Sequence, residues 1–138
     1  MRKVLQLSVK TSTEIEEVIP KLLTKLYLQG EPKWVALRFL INISLSVNHK
    51  FDFDRELLDG SEYRLEQLLG KGKESEDYSK HYRKLLESFE DRTFTTEKEF
   101  ERNLEYHIER GINIIGKQTI QAKTDMYTFI IDEFGVEN

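Results

Sequence analysis

The side chains able to carry chemistry are few and scattered. His49, His81 and His107 lie far apart and form no HxxxH pair, the helical spacing that turns two imidazoles to one side of a metal. His107 falls on the apolar face of its segment, where a hydrogen-bonded core histidine is the expectation rather than a ligand or a base. Asp52, Asp54 and Glu56 alternate and have the hard oxygen donors that suit a divalent cation, but a solvated acidic loop explains them more simply. Gly70-Lys71-Gly72-Lys73 has the residue types of a phosphate-cradling loop without the GxxxxGK[ST] spacing or a preceding strand. At most it offers a lysine-tipped turn for a phosphate. The chain has no cysteine, which removes thiolate nucleophiles, thiolate zinc sites and disulfides together. The expectation is therefore a protein with no catalytic grouping, no metal site and no cofactor, and not an enzyme.

Binding is better supported than catalysis. The net charge of −4 is unevenly spread, with residues 1–50 carrying +4 and the remainder −8. An asymmetric chain can present a basic face while its bulk stays acidic. Candidate contacts to a polyanion are Lys3 and Lys10 on or near the first extended segment, Lys21 and Lys25 four residues apart, and Lys33 at the start of the next helix. The competing reading makes these lysines ordinary solubilising residues.

The elements that must position them follow from periodicity. With 138 residues there is room for one domain. Val4, Leu5, Leu7 and Val9, the later ones alternating with polar residues, predict a short strand. Thr13 with Glu16 has capping-box spacing, and Ile15, Val18, Ile19, Leu22, Leu23 and Leu26 follow at helical spacing. Pro20 conflicts with that helix, which is either kinked there or begins nearer Pro20. Gly30 suits its stop and Pro32 the first turn of the next helix. Trp34 to Val47 is apolar nearly all round, the pattern of a helix at the centre of a domain or an oligomer. Its end also alternates as a strand would, but Arg38, Asn42 and Ser46 at i, i+4 spacing favour helix. Residues 48–60 read as a loop, and a short helix through Leu65, Leu68 and Leu69 stops at Gly70. Tyr78, Tyr82, Leu85, Leu86 and Phe89 mark a further helix. Thr96 with Glu99 caps the next, which bears Phe100, Leu104, His107, Ile108 and Ile115. Gly111 shares that inner stripe and is expected to admit a neighbouring helix.

The expected architecture is mainly α, a short N-terminal strand followed by a helical domain. The domain would span residues 1–116, with residues 117–138 a C-terminal tail. A strand followed by two helices resembles half of a ribbon-helix-helix protein, whose strands pair between two copies and enter a DNA groove. No apolar run approaches the roughly 18 residues of a membrane span, and no signal peptide is visible, so a cytoplasmic location with no membrane partner is expected.

Leu58-Asp59-Gly60-Ser61-Glu62, then Leu68-Leu69-Gly70, then His107-Ile108-Glu109-Arg110-Gly111-Ile112 form an ordered series that resembles the DndE family. Ala36-Leu37-Arg38-Phe39 and Ser44-Leu45 are similar to it as well, and the match covers about residues 5–116. The resemblance makes Asp59, Gly60, Gly70, His107 and Gly111 structural motif residues. It implies a small accessory protein of DNA phosphorothioation, the bacterial defence chemistry that replaces a backbone phosphate oxygen with sulfur. Sulfur transfer would belong to other subunits of that machinery, its partners. It implies a homo-oligomer, a tetramer in related members, that prefers double-stranded or nicked DNA, with lysines on the first helix at about the places of Lys21 and Lys25. The chain departs from the family in its acidic balance, an insertion between Ser88 and Phe100, and the tail after Gly116. Two other readings stand beside this one: a ribbon-helix-helix transcriptional regulator, and an adaptor that binds only proteins.

Overall fold

The structure, a computed structural model, describes residues 8–47, 50–69, 78–116 and 120. In chain order these form β1 (Ser8–Lys10), α1 (Thr13–Lys25), α2 (Lys33–Ser46), β2 (Glu62–Arg64), α3 (Leu65–Leu69), α4 (Ser79–Glu90) and α5 (Glu97–Ile115). Lys3, Gly70, Lys71, Lys73, His49 and the residue 124–138 stretch of the tail lie outside the described residues.

The helix α1 begins one residue earlier in its capping than its sequence suggests. Ser12, not Thr13, is the N-cap, and its Oγ accepts from the Ile15 amide at 3.1 Å. The Glu16 carboxylate closes no box on Thr13; it accepts from Thr11 Oγ1 at 2.6 Å and from the Tyr63 hydroxyl at 2.7 Å. The helix then runs through Pro20 without a break, burying Ile15, Val18, Ile19, Leu22 and Leu23. That apolar stripe outweighs the single hydrogen bond proline removes.

Gly30 does not stop α1. The helix ends in a Schellman turn, Tyr27 N–H to Thr24 O at 3.0 Å and Leu28 N–H to Leu23 O at 2.8 Å, with Tyr27 itself at φ +60°. This left-handed position usually holds glycine. Gly30, at φ +89°, serves the following turn.

The apolar helix α2 is covered by its own chain. Helices α1, α3, α4 and α5 all pack on it, so Ala36, Leu37, Leu40 and Ile41 are fully buried while Trp34, Val35, Phe39 and Leu45 rest half-buried on the core. The all-round apolar pattern is satisfied within one chain, which removes that pattern as an argument for an oligomer. Residues 50–60 form neither helix nor strand, as their polar composition predicts.

The second strand was not foreseen. β1 pairs antiparallel with β2 of the same chain, Ser8 opposite Arg64, Val9 opposite Tyr63 and Lys10 opposite Glu62. On the other edge of β1, the Ser8 amide donates to Glu101 Oε2 at 2.6 Å and the Lys10 amide to Glu105 Oε2 at 2.8 Å. Alternate strand amides repeat at about 6.8 Å, and helical residues four apart repeat at about 6.0 Å. Two glutamates on one face of α5 therefore match a strand edge. With both edges occupied, β1 is not the free ribbon that the ribbon-helix-helix comparison requires.

Candidate nucleic-acid interface

Of the lysines singled out by sequence, Lys10, Lys21, Lys25 and Lys33 are described, and they sit on three different elements or their ends. Lys21 is exposed and Lys25 half-buried on α1, four residues apart on one side of the helix. Lys33 leads α2 but turns back to α1, its Nζ 3.2 Å from Glu16 Oε1. Glu16 sits nine residues before Lys25, about 14 Å along the axis, so Lys33 is held near the opposite end. Lys10 is exposed at the end of β1, with its amide tied to Glu105. Burial pushes the Glu16 carboxyl up, but hydrogen bonds from Thr11, Tyr63 and Lys33 outweigh it and hold it below the ordinary carboxylate value. Lys33 is therefore part of the joint between α1, α2 and β2, while Lys21 is exposed and Lys25 partly exposed on α1.

Asp59 and Gly60 secure the start of α1. Asp59 Oδ1 accepts from Thr13 Oγ1 at 2.9 Å, placing a carboxylate at the positive end of the helix. The Gly60 amide donates to Thr11 O at 2.7 Å. A Cβ on Gly60 would stand 2.6 Å from the Ser12 carbonyl oxygen, so only glycine admits this approach.

The C-terminal motif is built into a buried polar chain. His107 is fully buried; its Nδ1 lies 2.7 Å from Ser44 Oγ and its Nε2 3.2 Å from Glu90 Oε2. Arg110, 2% exposed, donates from Nη1 to Ser44 O at 2.5 Å and to Ser44 Oγ at 3.0 Å, and from Nη2 to Val47 O at 3.0 Å. Arginine only donates and a carboxylate only accepts. The direction is therefore forced: Arg110 to Ser44, the Ser44 hydroxyl to His107 Nδ1, and His107 Nε2–H to Glu90. Burial pushes the imidazole down to about 4, against the upward pull of Glu90, so the ring is neutral near pH 7. Gly111 lies beside it, and a Cβ there would fall 2.0 Å from the Leu40 carbonyl oxygen. The backbones of α5 and α2 meet at that point.

A third carboxylate extends the row of Glu101 and Glu105. Glu109 accepts from the Glu56 amide at 3.0 Å and pairs with Arg55 Nε. Sequence reasoning missed this row of buried acids spaced four apart. Its one signal is that each acid lies beside the apolar stripe of Leu104, Ile108 and Ile112.

Serine, histidine and glutamate in hydrogen-bonded order have the composition of an acyl-transfer relay. Here Ser44 and His107 are both 0% exposed and Arg110 already donates to the serine oxygen, so no substrate reaches that hydroxyl. Among the described residues no three His, Asp or Glu side chains are grouped to hold a metal ion, and no helix is long and apolar enough to cross a membrane.

Fold and charge together define a mainly helical protein with a minimal two-stranded sheet, in which His107, Arg110 and the glutamates of α5 belong to buried structural networks. The chain belongs to the DndE family: the family model for DNA sulphur modification protein DndE matches residues 8–123. No curated protein and no solved structure matches it significantly.

Proposed function

We propose that this chain is a non-catalytic accessory subunit of DNA phosphorothioation that holds duplex or nicked DNA by its backbone, with Lys21 and Lys25 as the principal contacts. The observation that carries the proposal is the Lys21–Lys25 pair on α1, two cations about one turn apart on one side of the helix, in a family of DNA sulphur modification proteins. Cations at that spacing can meet phosphates without reading bases. The burial of Ser44 and His107 supports a binding role over a chemical one. Homo-oligomerisation, tetrameric in the family resemblance, belongs to the same reading, as do the other sulfur-modification subunits as partners; a cytoplasmic location follows from working on DNA. The transcriptional-regulator reading loses its support because both edges of β1 are occupied.

The test is fluorescence anisotropy on a nicked duplex across a salt series. Affinity should fall with salt, with a logarithmic slope of about −0.9 per phosphate neutralised, and change little with sequence. Lys21→Glu with Lys25→Glu should weaken binding strongly at unchanged thermal stability. Binding equal to wild type by the double variant would remove α1 as the contact face.

A further inference from the structure

The apolar side of α4 is only partly used by the core. Of Tyr82, Leu85, Leu86 and Phe89, Leu86 alone is buried, and Leu85 is 51% exposed. Leu85 and Phe89 form one wall of a hollow of about 610 Å³, Leu45 at the end of α2 a second, and Phe51 with Tyr106 of α5 a third. Leu45, Phe51, Phe89 and Tyr106 are each half-buried. Apolar surface of this kind is unfavourable in water in proportion to its area, and a contiguous patch of it marks a docking place.

The sequence supplies an occupant. The described residues run as far as Ile120, which is 1% exposed and donates its amide to Gly116 O at 3.2 Å, so the chain is fixed to the core at that point. Eighteen residues follow it. They lie outside the described residues, and from Thr124 onward they also lie beyond the family match, which ends at residue 123. Residues 127–134 hold Tyr127, Phe129, Ile130, Ile131 and Phe134, five large apolar side chains in eight positions. A segment so apolar gains by leaving water.

Reach and charge both suit the hollow. Tyr106 stands ten residues before Gly116, about 15 Å back along the axis of α5. The seven residues from Ile120 to Tyr127 span up to about 23 Å when extended. Residues 124–138 carry Asp125, Asp132, Glu133 and Glu137 and no Lys or Arg. The lining of the hollow has Lys50 and Arg110 against Asp52, and Lys50, 3.9 Å from Asp52, is 86% exposed at its rim.

We propose that residues 127–134 of the same chain dock in this hollow, with their aromatic and isoleucine side chains against Leu45, Leu85 and Phe89 and their acids towards Lys50. Docked in this way, the tail completes the cover of α4 and closes that face to other proteins.

Nuclear magnetic resonance on the full chain tests the docking. The chain has no cysteine, so Lys84→Cys, at an exposed position beside Leu85, carries a single nitroxide outside the lining of the hollow. The nitroxide should broaden the amide signals of residues 127–134. Leu85→Asp should remove that broadening and speed hydrogen exchange of the same amides at least about tenfold. Phe129→Asp with Ile130→Asp, made on the tail side, should reproduce both effects and covers the case in which Leu85→Asp disturbs α4 itself. A mixture of nitroxide-bearing chains with isotope-labelled chains that lack the nitroxide separates a second copy from the same chain. Broadening as strong between chains as within one would assign the hollow to a neighbour's tail and overturn the proposal. No broadening within the chain, or broadening and exchange left unchanged by both sets of substitutions, would overturn it as well.

Discussion

The two helices that meet at Gly111 reach the core by opposite chemistry. α2 is almost wholly apolar in its buried part, Ala36, Leu37, Leu40, Ile41 and Ile43, with Ser44 as its buried polar residue. α5 is amphipathic by sequence, yet it buries twelve residues, among them Glu101, Glu105, His107, Glu109 and Arg110. The first is held by removal of apolar surface from water, worth about 25 cal/mol per Å². The second buries charge, which is unfavourable unless the carboxylate oxygens find donors and cations. Its glutamates meet that condition with strand and loop amides on one oxygen and cations on the other. Centrality is therefore not a matter of hydropathy alone; a helix becomes central wherever its polar groups can be saturated.

Substitutions can break or sharpen this contrast. The largest effect is expected on the apolar side. Leu40→Ala in α2 should lower the unfolding free energy by about 2–5 kcal/mol through lost transfer and a residual cavity, measured by urea denaturation. Gly111→Ala should follow at about 3 kcal/mol, the upper part of the usual range for overpacking, because the obstructing atom is the Leu40 carbonyl and not a side chain that can turn aside. Helix propensity alone would give the opposite sign, a gain of up to about 1 kcal/mol, so a higher melting temperature would refute the close approach.

Glu105→Leu keeps the volume of α5 but leaves the Lys10 amide without its acceptor. A loss of about 1–3 kcal/mol is expected, with faster hydrogen exchange at Lys10; an unchanged Lys10 exchange rate would show that the carboxylate is not what seals the strand. Next comes pH. The folded-state value of His107 lies below its ordinary 6.5, so the unfolded chain takes up the proton first as pH falls. Stability is full above 6.5 and declines towards 4, with a slope of at most about 1.4 kcal/mol per pH unit. Glu16, lowered from 4.5, contributes only below that value. His107→Gln should therefore flatten the melting curve between pH 6.5 and 4.5, and an unchanged slope would remove His107 as its origin. The smallest effect is expected at Tyr27, outside both helices, where the left-handed backbone of an exposed side chain costs roughly 1 kcal/mol. Tyr27→Gly should raise the melting temperature slightly.

Local signals in the sequence translated well where the physics is local. Thr96 caps α5 as its spacing predicts, accepting from the Glu99 amide at 3.2 Å, and the Trp34–Val47 pattern is helical through Ser46. His107 is a hydrogen-bonded core histidine, as its place on an apolar face implies. The DndE resemblance rested on short motifs in order, and the family model covers residues 8–123. What was hidden depends on partners distant in the chain. β2 has three residues and gains meaning only opposite β1. Tyr27 takes a glycine position because two carbonyls of α1 need donors there. Glu101, Glu105 and Glu109 gave no sign of burial, since nothing in their spacing reveals the amides that meet them.

The sealing of β1 by α5 has a consequence for the order of synthesis. Ser8 and Lys10 leave the ribosome early, yet their acceptors Glu101 and Glu105 come 93 and 95 residues later. At translation rates of about 5–20 residues per second, the strand waits on the order of 5–20 s for its second edge. Throughout that interval β1 can be paired on one side at most, with open amides on the other, and it is then that the nascent chain is most open to mispairing. Release of α5 from the exit tunnel closes this window, so a helix made late completes a strand made early.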